Sequence, residues 1–190
     1  MEGTVYEGKT FDKILYPGKA IKNREFETCT FKNCDFSNAD FSVNRFTDCV
    51  FIGCNLALLK LNRSTLSHVV FRECKLTGIN FSECGEALFT VRFESCFLDY
   101  ASFVNRKMPK TLFSSTSLKG TDFTNATLTS AVFDNTNLEG AVFSGTQLSK
   151  ANFLTAYNYT IDPEMNYLQK ARFSRHGIAG LLTKYNLEIE

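Results

Sequence analysis

Phe or Leu recurs at every fifth position through most of this chain, and that spacing limits the possible folds more than any other feature. One run of these centres extends from Phe26 to Phe81. A second, with a single Met, extends from Leu88 to Phe153. Neither the 3.6-residue period of a helix nor the two-residue period of a flat strand generates such a repeat. The chain is therefore predicted to be a repeat protein in which each unit turns a corner.

The five-residue spacing is itself part of a longer period of twenty residues. Phe81 and Leu88 lie seven residues apart, which indicates an insertion within 82–87 and places Leu88 in a column with Leu66 and Met108. With the insertion removed, positions compared every twenty residues give one column of Phe alone: Phe11, Phe31, Phe51, Phe71, Phe93, Phe113, Phe133, Phe153 and Phe173. Four five-residue units therefore make one coil.

The residue two positions before each centre is nearly always Ala, Cys or Thr. One large and one small inward residue on each side would fill a square tube. Coils joined by backbone hydrogen bonds rise about 4.8 Å each, so the eight steps from Phe11 to Phe173 predict a rod of roughly 38 Å. A tube with four short, flat sides leaves no room for a deep cleft.

The order of small residue, polar residue, Phe or Leu, then two further residues resembles the pentapeptide-repeat family. Examples are Ala39-Asp40-Phe41-Ser42-Val43 and Ala126-Thr127-Leu128-Thr129-Ser130. The resemblance covers about residues 24–154 and implies an all-β fold, a right-handed quadrilateral parallel β-helix. The handedness comes from the family and not from the spacing. We expect one domain over 1–190, with an irregular amino-terminal cap (1–24), the β-helix (25–154), a loop (155–167), and a last coil plus a C-terminal helix (168–190).

That short helix is expected to cap the rod. Ile178, Leu181, Leu182 and Tyr185 have the spacing of a one-faced helix, whereas Gly177 and Gly180 would make it marginal alone. Its apolar face is therefore expected to dock on the last coil, because an open stack of strands invites end-to-end association.

Six of the seven cysteines occupy the small inward site, so we expect buried free thiols. Cys84 alone lies in the insertion and is the candidate for an exposed thiol. The spacing of Cys29, Cys34, Cys49 and Cys54 lies on successive sides of the square and fits no ordinary zinc pattern. No metal and no cofactor are predicted.

Charge and hydropathy bear on nucleic-acid binding, membrane contact and the cellular compartment. Between Phe26 and Phe153 there are twelve Lys or Arg and twelve Asp or Glu, a net charge of zero, so no direct nucleic-acid binding is expected. The amino terminus shows no secretory pattern and the chain has no run of 18 apolar residues, so the cytoplasm is the expected compartment and no membrane contact is predicted.

Breaks in the pattern supply the candidate interaction residues. Arg106 occupies a small inward site, where a cation needs a partner, so we expect the backbone to bulge outward and display Arg106, Lys107 and Lys110. A few outward positions are apolar and favour a protein interface: Val50, Val70, Phe97 and Tyr100.

Catalysis has little support. The only histidines, His68 and His176, lie far apart along the rod, so no catalytic residues and no enzyme are predicted. The favoured hypothesis is a non-catalytic rod that binds an unknown protein partner, as a monomer or as an end-to-end dimer through the C-terminal region.

Two other hypotheses stay open. The stretch from Glu25 to Ser37 resembles the amino-terminal repeats of the quinolone-resistance (Qnr-like) branch. That resemblance implies a dimeric, DNA-mimicking rod acting on type II topoisomerases, although this chain lacks the acidic balance that mimicry needs. A structural or stress-related role without a fixed partner is the third hypothesis.

Overall fold

The computed structural model describes residues 4–86 and 88–188, and within them short parallel strands stack into a β-solenoid of about eight turns. The strands are β1 (Val5–Glu7), β2 (Thr10–Asp12), β3 (Glu25–Glu27), β4 (Thr30–Lys32), β5 (Arg45–Thr47), β6 (Val50–Ile52), β7 (Thr65–Ser67), β8 (Val69–Arg72), β9 (Val91–Glu94), β10 (Leu112–Ser114), β11 (Val132–Asp134), β12 (Asn152–Phe153) and β13 (Arg172–Phe173). A 3-10 turn at Phe81–Glu83 begins the insertion. The predicted fold class is confirmed.

The strands form two walls of the tube. Nine of them make a sheet in the order β13-β12-β11-β10-β9-β8-β6-β4-β2, and four make the sheet β1-β3-β5-β7. The other sides consist of single bridging residues, such as Lys75 to Phe97 to Ser117. No helix in the described part of the chain is long and apolar enough to cross a membrane.

The twenty-residue register is confirmed along the Phe column. Phe51 pairs with Phe71, and Phe71 pairs with Phe93 across the insertion. The rings of Phe71 and Phe93 stack with centroids 5.4 Å apart and planes inclined by 10°. Because each ring also meets the rings of a neighbouring column edge-on, the aromatic side chains form one continuous core along the rod.

Most corners are made by the residue two positions after a centre, which adopts a left-handed backbone conformation. Asn38 has a φ of 56°, Tyr100 a φ of 59° and Gly120 a φ of 61°. This conformation costs an L-residue about 1–2 kcal/mol, which explains why Asn and Gly recur at the corners. Three extended residues followed by two turn residues, the second of them left-handed, thus account for the five-residue unit.

The small inward site has a second task. The Sγ of Cys54 donates a hydrogen bond to the carbonyl oxygen of Phe31 in the preceding coil, and the Oγ1 of Thr121 donates to that of Leu98. Small polar residues therefore fill the tube and also satisfy carbonyl groups of the centres. All seven cysteines are free thiols, and the six at small sites are buried as predicted.

The amino-terminal end is more regular than expected. β1 pairs with β3 and β2 with β4 in the common register, so the first described residues form an ordinary coil. Lys9 and Lys19 stand at small sites there, yet both are exposed, because the end of a tube lacks a neighbouring coil to bury them. Tyr6 and Phe11 pack only partly against the core.

The carboxyl-terminal end is closed by an aromatic plug and a short helix. Tyr159 is buried and packs against Phe153 and Phe173, with ring centroids 5.8 and 5.6 Å away. The chain then forms a 3-10 turn (Arg175–Gly177), α1 (Ala179–Leu182) and a second 3-10 turn (Thr183–Tyr185). A side chain at Gly177 or Gly180 would collide with Tyr159, so these glycines let the helix approach the plug.

Candidate interaction face

One wall of the rod carries exposed apolar side chains grouped over several coils. We call it the aromatic face: the outer surface of the wall whose inward centres are Leu56, Leu76, Leu98, Leu118 and Leu138. Phe97 and Tyr100 flank Leu98 in one coil and are 58% and 73% exposed, Leu58 is 54% exposed, and Tyr157 is 49% exposed. Such large exposed fractions leave these side chains free to contact a partner.

The corner geometry fixes two of these side chains. Tyr100 extends along the rod over the corner of the next coil, so that a Cβ at Gly120 would lie 2.8 Å from its ring. Leu58 makes the same contact with Gly78, where a Cβ would lie 2.6 Å away. The absence of a side chain at these corners therefore gives Tyr100 and Leu58 a surface to rest on, which restricts their conformations before any partner binds.

A shallow groove of about 410 Å³ runs between Phe97 and Tyr157. Its floor contains Ser117 and Asn137, which bridge to each other and connect the two aromatic residues through three coil steps, a separation of roughly 14 Å. An aromatic ring at each end and small polar groups between them combine an apolar anchor with hydrogen-bonding groups.

Two charged side chains on this face pair with each other, and a third is held by hydrogen bonds. The Nζ of Lys119 lies 2.8 Å from Oε2 of Glu139, and this contact raises the pKa of Lys119. The Asp99 carboxylate accepts hydrogen bonds from the Ser117 hydroxyl and the Lys119 backbone N–H. The face is therefore polar and aromatic without a strong field of either sign.

The other predicted interaction residues lie elsewhere. Val50 and Val70 pair with each other in the nine-stranded sheet, on the neighbouring wall, and are only half-buried. Lys107 and Lys110 are exposed on the wall opposite the aromatic face. The structure thus brings together Phe97 and Tyr100 but not the full set.

The expected outward bulge at Arg106 is wrong. Arg106 is buried, its Nη1 donates to the carbonyl oxygen of Cys84 at 3.0 Å, and its Nη2 donates to that of Gly85 at 2.6 Å. The guanidinium carbon lies 4.4 Å from the centroid of the Phe89 ring. The insertion of the preceding coil moves its own backbone away from the small site, and Arg106 fills that space.

Two expectations for the insertion are also wrong. Cys84 is only 4% exposed, because its side chain turns into the core beneath the loop, and this burial raises its pKa to about 12. Leu88 is exposed at a left-handed corner, and Phe89 is buried in its place. Phe81 and Phe89 lie eight residues apart, three more than the repeat spacing, whereas Phe89 and Phe93 lie four apart, one fewer. The net insertion is therefore two residues.

The two histidines lie in different parts of the rod. His68 is exposed, with Nδ1 3.3 Å from a carboxylate oxygen of Asp48, and His176 lies in the 3-10 turn at the far end. Among residues 4–86 and 88–188, no group of three or more His, Cys, Asp or Glu is placed to hold a metal ion.

Family models match two parts of the solenoid. The pentapeptide repeat region model matches residues 24–85, and the model of pentapeptide repeats in eight copies matches residues 116–154. The chain belongs to the pentapeptide-repeat family. The resemblance in the sequence is thereby confirmed, and proteins of this family are generally non-catalytic structural or interaction modules. A comparison with curated proteins finds no match.

Solved structures share this family's fold with the chain. A trypsin-treated variant of QnrB1, described as a plasmid-mediated fluoroquinolone resistance protein, is 17% identical, with 95% of this chain and 100% of that chain covered and a TM-score of 0.68. HetL from the cyanobacterium Nostoc, involved in heterocyst differentiation regulation, is 13% identical, with 89% and 88% covered and a TM-score of 0.43. At 17% identity, the likeness to the QnrB1 structure concerns the fold alone.

Proposed function

We propose that this chain is a non-catalytic pentapeptide-repeat rod that binds a protein partner through the aromatic face. The observation that carries the proposal is the exposed pair Phe97 and Tyr100 beside the polar groove that ends at Tyr157. Aromatic residues are enriched at the centres of protein interfaces, where they bury a large area at a small entropic cost. Tyr100 already rests on Gly120, which lowers that cost further.

The rigidity of the rod suits this role. The groove floor consists of residues that bridge from coil to coil, so a partner would meet a surface that needs no rearrangement. The local pairing of Lys119 with Glu139 favours a partner surface that is itself near neutral. We therefore expect association that depends weakly on salt.

The test compares capture by two variants. The protein is immobilised and exposed to a lysate of the organism that produces it, and captured proteins are identified by mass spectrometry. The double variant Phe97→Ser/Tyr100→Ser is expected to lose a protein that the unaltered chain retains. The matched control, Val5→Ser/Val142→Ser, removes exposed apolar groups from two other walls and is expected to retain it. Equal capture by both variants would contradict the proposal.

Topoisomerase binding by DNA mimicry is the alternative, and the charges count against it. Mimicry of duplex DNA requires dense negative charge, whereas the repeats carry equal numbers of acidic and basic residues that pair across coils, as Arg72 does with Glu94. In a supercoiling assay with gyrase and a fluoroquinolone, we expect neither inhibition nor rescue at micromolar protein. Salt-sensitive rescue at stoichiometric amounts would make this alternative the leading function.

An end-to-end dimer through the C-terminal region stays a prediction. Ile178, Tyr185 and Leu187 are exposed at that end, where they could extend the cap into a contact. Sedimentation of the unaltered chain and of Ile178→Ser over a range of concentrations distinguishes the dimer from a monomer.

A further inference from the structure

A second site, remote from the aromatic face, lies at the corner where the insertion and the following coil meet. A cavity of about 490 Å³ opens there. Its lining includes Glu86 and Phe89 from the insertion and Asn105, Arg106 and Lys107 from the next coil. The cavity exists because the loop moves outward, and no other coil in the described ranges carries such an insertion.

Arg106 is a buried cation beside this cavity, and Glu86 in the same lining attracts it at longer range without forming an ion pair with it. It is 6% exposed, and none of the ion pairs among the described residues includes it. A guanidinium has five N–H groups; two donate to the carbonyl oxygens of Cys84 and Gly85, and Nε has no partner. Burial of a cation without a directly paired charge is costly, and neutral carbonyl groups compensate it only in part.

We propose that this cavity binds a carboxylate, with Arg106 as its main partner and Lys107 as a second cation at the opening. The second N–H of each Arg106 Nη atom, the Lys107 ammonium and the Asn105 amide are all donors suited to carboxylate oxygens. Glu86 also lines the cavity, and its negative charge disfavours a dianion such as phosphate more than a singly charged carboxylate. The carboxylate belongs either to a small free acid or to an acidic side chain of another protein.

The experiment titrates the unaltered protein with sodium acetate and follows the backbone and Arg side-chain N–H signals by NMR. Sodium chloride at the same ionic strength is the reference. We expect saturable shifts at Gly85, Lys107 and the Arg106 Nη–H groups, with a dissociation constant of roughly 1 mM for so small a ligand. Shifts that are linear and equal in acetate and chloride would overturn the proposal.

Two charge variants at the opening of the cavity should change the affinity for acetate in opposite directions. Lys107→Gln should weaken acetate binding by about two- to fivefold, and Glu86→Gln should strengthen it by a similar factor, as for other exposed charge pairs. Both side chains are exposed, so the fold should tolerate either change. Lys110→Gln, three residues further along and not part of the lining, is the control and should change nothing. Equal affinity in all three variants would contradict the assigned site.

Two further probes distinguish the sources of the carboxylate. Butyrate represents a small free acid with one carboxylate, and N-acetylglutamate amide represents an acidic protein side chain. Tighter binding of butyrate, by tenfold or more, supports a free acid, whereas equal or tighter binding of N-acetylglutamate amide supports a side chain. Binding of neither probe would exclude both sources and the proposal with them.

Discussion

Replacing Phe93 by Ala tests the stacked core directly. Its ring lies 5.4 Å from those of Phe71 and Phe113 and meets Phe81 and Phe103 edge-on at 5.9 and 6.0 Å. Because β9 is hydrogen-bonded to a strand on each side, the backbone has little freedom to collapse into the space left by the ring. We therefore expect a loss of about 4–5 kcal/mol, the upper part of the range for Phe→Ala core substitutions.

Equilibrium unfolding in urea, followed by far-UV circular dichroism, measures this loss, and the chain contains no Trp that would report by fluorescence. Phe97→Ala is the matched control: the same residue type, four positions along the same coil, but facing outward. Its effect should stay within about 0.5 kcal/mol, as for other surface substitutions. A loss under about 1 kcal/mol for Phe93→Ala, or equal losses for the two variants, would refute the register.

Three further predictions concern the thiols, a corner and the cap. Cys84 should resist a maleimide reagent in the native protein and react only on unfolding, since burial raises its pKa to about 12; rapid native labelling would show that the insertion is open. Gly120→Ala should destabilise the rod by about 1–2 kcal/mol in urea unfolding through left-handed strain and contact with the Tyr100 ring, and by less in a Tyr100→Ala background. Lys184 donates to Asp162 and lowers the pKa of that carboxyl, so the stabilisation is present above about pH 4 and is lost as the pH falls. Thermal unfolding of Lys184→Met should therefore approach that of the unaltered chain at low pH, whereas a constant difference would contradict the pairing.

The fold was predictable because its signal is periodic. A Phe column without exception and a small residue two positions earlier define the coil, its inward positions and its length. The register across the insertion was correct as well, because Phe71 and Phe93 pair. Each repeat contributes the same information, so a local irregularity does not obscure the pattern.

The errors fall where two departures from the repeat compensate each other. Arg106 at a small site predicts a bulge, and the insertion predicts an exposed Cys84, but each prediction depends on one departure alone. In the structure the loop supplies the carbonyl acceptors for Arg106, and Arg106 fills the space that the loop leaves. A cation at a small site, one coil after an insertion at the same corner, is the signal that could have revealed this pairing.

The interaction residues were predicted only in part, for a similar reason. Outward position is evident from the repeat, so Phe97 and Tyr100 could be found. Their contacts along the rod depend on which residue occupies the same corner one coil later. The support that Gly120 gives to Tyr100 became visible only when the coils were stacked.

Site-specific photocross-linking tests the central claim, binding through the aromatic face, most directly. A photoreactive amino acid at Ser117 lies within the groove, and one at Thr127 occupies the equivalent bridging position on the opposite wall. In cells of the organism that produces the protein, position 117 should cross-link to a discrete protein and position 127 should not. A discrete adduct at position 127 with none at position 117 would contradict the account.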